Sequence, residues 1–247
     1  QAGMTADNTI NAPEGYKLVW NDEFNDEDAS GDWTFESKGP GWVNNELQTY
    51  VVRDPDCYSV SNGTLKITAK KDGSKIKSTR MYACASTGWQ YGYVEARIKL
   101  PKGKGTWPAF WMMPTKFTSW PECGEIDIME EVGYHPDYVS SSLHALGHYH
   151  ANGTQVTKEV KCDGAEGDFH IYSMEWTHEY IQFFVDGTPT LYYANDGTGS
   201  RNWPYDQTFY VILNLAWGGD WGGSQGVDES ALPATMEVDY VRVFQKK

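Results

Sequence analysis

Val94-Glu95-Ala96-Arg97-Ile98-Lys99-Leu100 sets Val94, Ala96, Ile98 and Leu100 at every second position, with Glu95, Arg97 and Lys99 between them. A period of two sends the apolar and charged sets to opposite faces of a β-strand. Leu65, Ile67 and Ala69 alternate in the same way with Lys66 and Thr68, and Ile181, Phe183 and Val185 repeat the pattern. Met236, Val238, Tyr240 and Phe244 share one face of a final strand, with Glu237 and Asp239 opposite. Between such segments stand turn formers: Gly39-Pro40-Gly41, Asp54-Pro55-Asp56, Asp186-Gly187 and Trp217-Gly218-Gly219. Helical periodicity of any length is absent. Many short strands with regular turns predict an all-β fold, a two-sheet antiparallel sandwich with one face free to curve into a cleft. Without an internal repeat or a mid-chain linker, residues 15–247 read as one domain, and the polar residues 1–14 as a loose lead-in.

The 247 residues carry 20 basic and 34 acidic side chains, a net charge of −14. That balance excludes nucleic acid and anionic membranes as partners, because both reward basic patches. The longest apolar run, Phe209 to Trp217, contains Asn214 and falls far short of the roughly 20 residues of a membrane-spanning helix. Eleven Trp and 16 Tyr are too many to leave unplaced. They must fill a sandwich core or line a surface that binds something with apolar faces and polar rims, as sugars have. The chain opens Gln1-Ala2-Gly3 with no leader, which reads as a trimmed form of an exported protein (secreted, periplasmic or cell-surface), and as a monomer. Cys57, Cys84, Cys123 and Cys162 allow two disulfides in three pairings.

Chemistry concentrates in Glu125-Ile126-Asp127-Ile128-Met129-Glu130. In a regular strand Glu125 and Asp127 share a face and Glu130 points away. One extra residue near Ile128-Met129, a β-bulge, would return Glu130 to the other two. Glu125 and Glu130 would then stand about 13 Å apart at Cα. Side chains leaning inward bring their carboxyls toward the roughly 5–5.5 Å of a retaining glycosidase, with Asp127 between them. Like charges this close raise one another's pKa, which separates an ionised nucleophile from a protonated acid. The plainer reading is a solvated acidic strand. A surface strand, however, would intersperse Lys or Thr, and here Ile126 and Ile128 provide a core face instead.

With its surroundings this segment resembles glycoside hydrolase family 16, in the bulged form found in bacterial endo-β-1,3-glucanases. Asn44-Asn45-Glu46-Leu47-Gln48-Thr49-Tyr50, Tyr91-Gly92-Tyr93-Val94-Glu95-Ala96-Arg97, Gly105-Thr106-Trp107-Pro108-Ala109-Phe110-Trp111-Met112, Leu213-Asn214-Leu215-Ala216 and Val238-Asp239-Tyr240-Val241-Arg242-Val243 resemble family blocks in family order. The resemblance implies a concanavalin-like β-jelly roll that cleaves β-1,3- or mixed β-1,3/1,4-glucan internally, with retention and without a catalytic cofactor. Glu125 would be nucleophile, Glu130 acid/base, and Asp127 the partner that tunes Glu125. It also implies sugar contacts from Asn45, Glu95, Arg97 and Asn214, and stacking from Trp107, Trp111, Trp120, Trp217 and Trp221. A Trp in a sandwich is by default a core residue, and Glu95 with Arg97 is by default a surface charge pair. Trp217 and Gly222 stand where the family pattern has Val and Pro, which bears on the glucan preferred.

His144, His148 and His150 share strand parity, but no further ligand accompanies them to make a zinc site. The resemblance instead turns His144 toward the cleft and leaves the other two on a surface. It further implies a structural Ca²⁺ held by the Asp239 side chain and main-chain oxygens of Glu23 and Gly63, a hard-oxygen set. Two other readings share the fold: a non-catalytic glucan-binding module, and the same machinery acting on galactan or xyloglucan.

Overall fold

The computed structural model describes residues 10–150 and 153–247. Residues 1–9 of the expected lead-in lie outside that range. Among the described residues two sheets face each other, antiparallel throughout except where Thr49–Tyr50 runs parallel to Lys75–Ser78. In the seven-stranded sheet the order is Val156–Lys161, Tyr138–His144, Glu125–Glu130, Thr106–Pro114, Phe209–Trp217, Arg80–Ala83 and Trp33–Phe35. The ten-stranded sheet runs from Thr188–Ala194 through Tyr180–Val185, His170–Trp176, Gly92–Lys99 and Ala234–Lys246 to Thr64–Asp72, with shorter strands beyond. The chain is thus an all-β jelly roll.

The alternating segments do what their period dictates. Val94, Ala96 and Ile98 enter the shared core with Leu65, Ile67, Ala69, Ile181 and Phe183, and meet Phe110, Met112, Val211 and Leu213 from the other sheet. The final strand departs from simple alternation. Val238 pairs with Ile98 but Tyr240 with Arg97, so Asp239 is an extra residue. The slip inverts everything after it. Val241 and Val243 take the core side, while Tyr240 turns outward and donates a hydrogen bond to Glu95 at 2.8 Å.

No disulfide forms. Cys57, Cys84, Cys123 and Cys162 are free thiols, each seated at the end of a different strand or in the loop ahead of one. Burial pushes the thiols of Cys57, Cys84 and Cys162 up to about 11.

Glu131 is the least exposed acid among the described residues. Glu131, 1% exposed, accepts the Asp137 N–H at 3.0 Å and lies beside the carboxyl of Glu166. Burial first, and then the charge of Glu166, hold Glu131 protonated far above the usual carboxylate range. A carboxyl raised in this way keeps its proton in the folded chain after the unfolded chain has lost it. Its stabilising contribution is complete below about pH 4.5 and is lost as pH rises from there. Wild-type stability should therefore fall from about pH 5 to pH 9 more steeply than that of Glu131→Gln, by about 1.4 kcal/mol per pH unit at most. Melting curves of both proteins across that range test this, and parallel curves would show that Glu131 does not hold its proton.

Candidate active site

The Glu125–Glu130 strand lies between Thr106–Pro114 and Tyr138–His144. Asp127 pairs with Trp111 and Met129 with Phe110, leaving Ile128 without a partner on that side. Ile126, Ile128 and Met129 all enter the core. Two consecutive apolar residues on the inner side are what the bulge accommodates, and its consequence is that Glu125, Asp127 and Glu130 emerge together on the outer face.

Each carboxyl has its own partner. Trp120 Nε1 donates to Glu125 at 2.9 Å, and Trp107 Nε1 donates to Glu130 at 2.9 Å. Asp127, 2% exposed, is hydrogen-bonded to His144 Nε2 at 3.1 Å, and the same ring nitrogen lies 3.9 Å from Glu125. Desolvation dominates the electrostatics. It is the largest cause raising Glu125 and Asp127 well above the carboxylate range; the charge of Asp127 adds to it at Glu125, and that of Glu130 at Asp127. Glu130 is pushed up to about 8 by burial and then by the charge of Glu125, with Glu46 adding to both. Glu130 therefore holds a proton at neutral pH. Burial lowers His144 from the usual imidazole value, and the charge of Glu125 opposes that shift.

Beside the carboxyls the sheet register lays out a polar and aromatic row. Ala109 pairs with Glu130 on one side and Asn214 on the other, and Asn214 pairs with Arg80. Trp111 Nε1 donates to Asn214 at 2.7 Å, and Asn214 donates to the Tyr50 hydroxyl at 3.1 Å. The Arg80 guanidinium is sandwiched between the rings of Trp42 and Trp111, at 4.6 and 4.8 Å. One wall is formed by two loops tied together: Asn45 donates to Asp220 at 2.9 Å, and Glu46 bridges Gly218. There Trp221 meets Trp107 edge-on at 5.5 Å. Gly222 permits this approach, since a Cβ on it would stand 2.9 Å from that of Trp107.

The profile of glycosyl hydrolases family 16 matches residues 45–242. The chain belongs to glycosyl hydrolases family 16. It is 41% identical to a beta-glucanase of Rhodothermus marinus over 98% of its own length and 89% of the relative's. The solved laminarinase of Rhodothermus marinus superposes with a TM-score of 0.90 at 40% identity, covering 94% of this chain and 98% of that one. SCLam, a non-specific endo-beta-1,3(4)-glucanase carrying 1,3-beta-D-cellobiosyl-glucose at its active site, superposes with a TM-score of 0.91 at 42% identity, covering 96% of this chain and 97% of that one.

Within this family 16 fold, the expected site residues separate into two groups. Glu125, Asp127, Glu130, Trp107, Trp111, Trp120, His144 and Asn214 gather on the outer face of the seven-stranded sheet, with Asn45 and Trp221 on the adjoining loops. Glu95, Arg97 and Trp217 do not join them. Glu95 and Arg97 lie on the outer face of the ten-stranded sheet, across the core, where Arg97 pairs with Asp239 at 2.9 Å. Trp217 is fully buried against Gly105. His148 is also buried, held between the carbonyls of Leu143 and Asn202 rather than on a surface. His150 does reach the site, 4.9 Å from the Trp120 ring.

Sequence reading missed Arg80, Trp42 and Glu46. Arg80, not Arg97, stands beside Asn214 on the face that carries the carboxyls, and the signal for it was the pairing of Arg80 with Asn214 across the sheet, which no local pattern shows. Replacing Arg80 by Met should lower kcat/KM on a glucan by about 10–100-fold, the worth of a charge-assisted hydrogen bond, chiefly through KM. Arg97→Met should stay within about twofold. Equal losses in both variants would return Arg97 to the substrate.

Proposed function

We propose that the chain is a retaining endo-β-1,3(4)-glucanase that hydrolyses β-1,3-glucan and mixed β-1,3/1,4-glucan by double displacement. The observation that carries this reading is the bulge at Ile128, which turns three carboxyls to one face and leaves the two outer ones with separate indole donors. Family membership and the laminarinase neighbours support the same chemistry.

In the first step Glu130 gives its proton to the departing glycosidic oxygen while Glu125 attacks the anomeric carbon. The bond to the leaving sugar breaks and a glycosyl–Glu125 ester forms. Glu130, now ionised, takes a proton from water, and the hydroxide attacks the same carbon and frees Glu125. Asp127, buried between the two, is hydrogen-bonded to Glu125, and the Trp120 N–H stabilises negative charge on Glu125 during the cycle. Two carboxyls complete this cycle, so no cofactor takes part. Arg80, Asn214, Trp111 and Trp120 hold the sugars that flank the cleaved bond. The size of a polymeric substrate supports a reaction outside the cytoplasm.

The deciding experiment measures reducing sugar and product size on laminarin, cereal β-glucan, xyloglucan and agarose, with Glu125→Gln as the blank. Short oligosaccharides from laminarin and cereal glucan, lost in Glu125→Gln with folding intact, are expected. Turnover remaining in the variant would remove Glu125 as nucleophile. Release from xyloglucan or agarose alone would keep the mechanism and change the substrate, and binding without any release would leave a glucan-binding module.

A calcium ion on the outer face of the ten-stranded sheet is a separate proposal. Thr64, beside Gly63, hydrogen-bonds Glu237 at 3.2 Å, which sets that turn next to the Asp239 bulge. Asp239 already gives one oxygen to Arg97, and the Glu23 side chain binds Arg242 through both oxygens. A cation there draws on the second oxygen of Asp239 and on main-chain oxygens of Glu23 and Gly63. Chelator treatment should lower the melting temperature by a few degrees and leave glucan hydrolysis at 25 °C intact. A melt indifferent to chelator would leave Arg97 as the partner of Asp239 and remove the ion.

A further inference from the structure

Cys162, His170 and Asp186 take no part in the chemistry above, yet they converge where the two sheets meet at one edge. Cys162 follows Val156–Lys161, the last strand of the seven-stranded sheet. His170 begins His170–Trp176, and Asp186 lies in the turn before Thr188–Ala194, the last strand of the ten-stranded sheet. One ligand atom from each of the three lies within 4.8 Å of the others. Among the described residues the one other such group, Glu125, Asp127 and His144, belongs to the active site and contains no sulfur.

The histidine is set up to ligate. His170 Nδ1 donates to Asp186 Oδ2 at 2.6 Å, and Asp186 Oδ1 accepts the Ile171 N–H at 2.8 Å. This fixes the ring, and it leaves Nε2 buried with no hydrogen-bond partner. A buried unpaired ring nitrogen is costly, and an imidazole oriented by a carboxylate through its other nitrogen is how proteins prepare a metal ligand. Gly164 marks a small hollow beside it: a Cβ there would stand 3.0 Å from Asp168 Oδ2 and 3.7 Å from His170 Nε2. The thiol is 5% exposed, and its nearest polar contact is the Tyr172 hydroxyl at 4.0 Å. The carboxylates of Asp186, Asp137 and Asp163 all act on it. Such a field opposes a bare thiolate but attracts a divalent cation that would neutralise it.

We propose that Cys162 and His170, with Asp186 holding the ring and Asp168 as a further oxygen donor, form a binding site for a divalent transition metal of the zinc class. Thiolate with imidazole selects zinc or cobalt over calcium or magnesium, which take oxygen. Tetrahedral ligands at zinc stand about 3.3–3.8 Å apart, and the ligand atoms of Cys162, His170 and Asp186 lie within 4.8 Å of one another, so closure draws side chains toward the ion. On binding, Cys162 Sγ loses its proton to solvent and bonds the metal. The bound ion would clamp the edge strands of the two sheets together and raise stability without touching hydrolysis.

The test titrates the chelator-stripped full chain with Co²⁺ and then with Zn²⁺. Expected are a saturable near-ultraviolet thiolate-to-cobalt band at one metal per chain, its displacement by Zn²⁺, and a higher melting temperature with Zn²⁺. Cys162→Ser should abolish the band, and Asp186→Asn should weaken binding about 10–100-fold. Glucan hydrolysis should stay within about twofold in both variants. Absence of the band in the wild-type chain, its persistence in Cys162→Ser, or Zn²⁺ binding that leaves Cys162 unengaged and inhibits hydrolysis would each overturn the proposal. The wild-type titration stands alone should a variant fail to fold.

Discussion

One extra residue in one strand governs the chemistry of this molecule. Without Ile128 as a bulge, the period of two would leave Glu125 and Asp127 on one face and drive Glu130 into the core, where an acid has no partner. With it, Ile126, Ile128 and Met129 fill the interior while three carboxyls emerge side by side. Packing therefore enforces the catalytic geometry, since any slip of this strand costs buried apolar area and buries a charge in the same movement.

Placing three acids together creates an electrostatic problem, which the surroundings divide among them. The indoles of Trp107 and Trp120 each serve one outer carboxyl, and His144 serves the middle one. The two indoles stabilise charge without adding a competing cation, so the protons are distributed largely by depth and by mutual repulsion. Arg80, the cation on this face, is engaged by the rings of Trp42 and Trp111 rather than by the acids. It offers its edges to a hydroxylated ligand while its faces are occupied.

Much of this was legible in the sequence, because much of it is local. Alternation in Val94–Leu100 and its counterparts gave the strands and the two-layer fold, and the opposite parity of Glu130 required the bulge. What escaped depended on pairing between distant segments. Arg97 and Arg80 look alike in sequence; which one stands beside Asn214 is decided by strand register across the sheet. Alternation in the last strand misplaced Tyr240 and Phe244, since nothing local distinguishes Asp239 as a bulge. Trp217 at the mouth of a glycine-rich loop reads as exposed, but strand parity and the space left by Gly105 take it inside. Four cysteines permitted two bridges, and their dispersal over separate strand ends forbids both.

Those dispersed thiols carry a consequence for how the molecule is made. With thiols at about 11, roughly one in ten thousand of Cys57, Cys84 or Cys162 is a thiolate at pH 7, and the thiolate is the form that oxidants attack. Burial thus slows thiol–disulfide exchange at those three thiols. The folding of the chain calls on no oxidase or isomerase, and the chain keeps the same covalent structure in a reducing compartment as in an oxidising one.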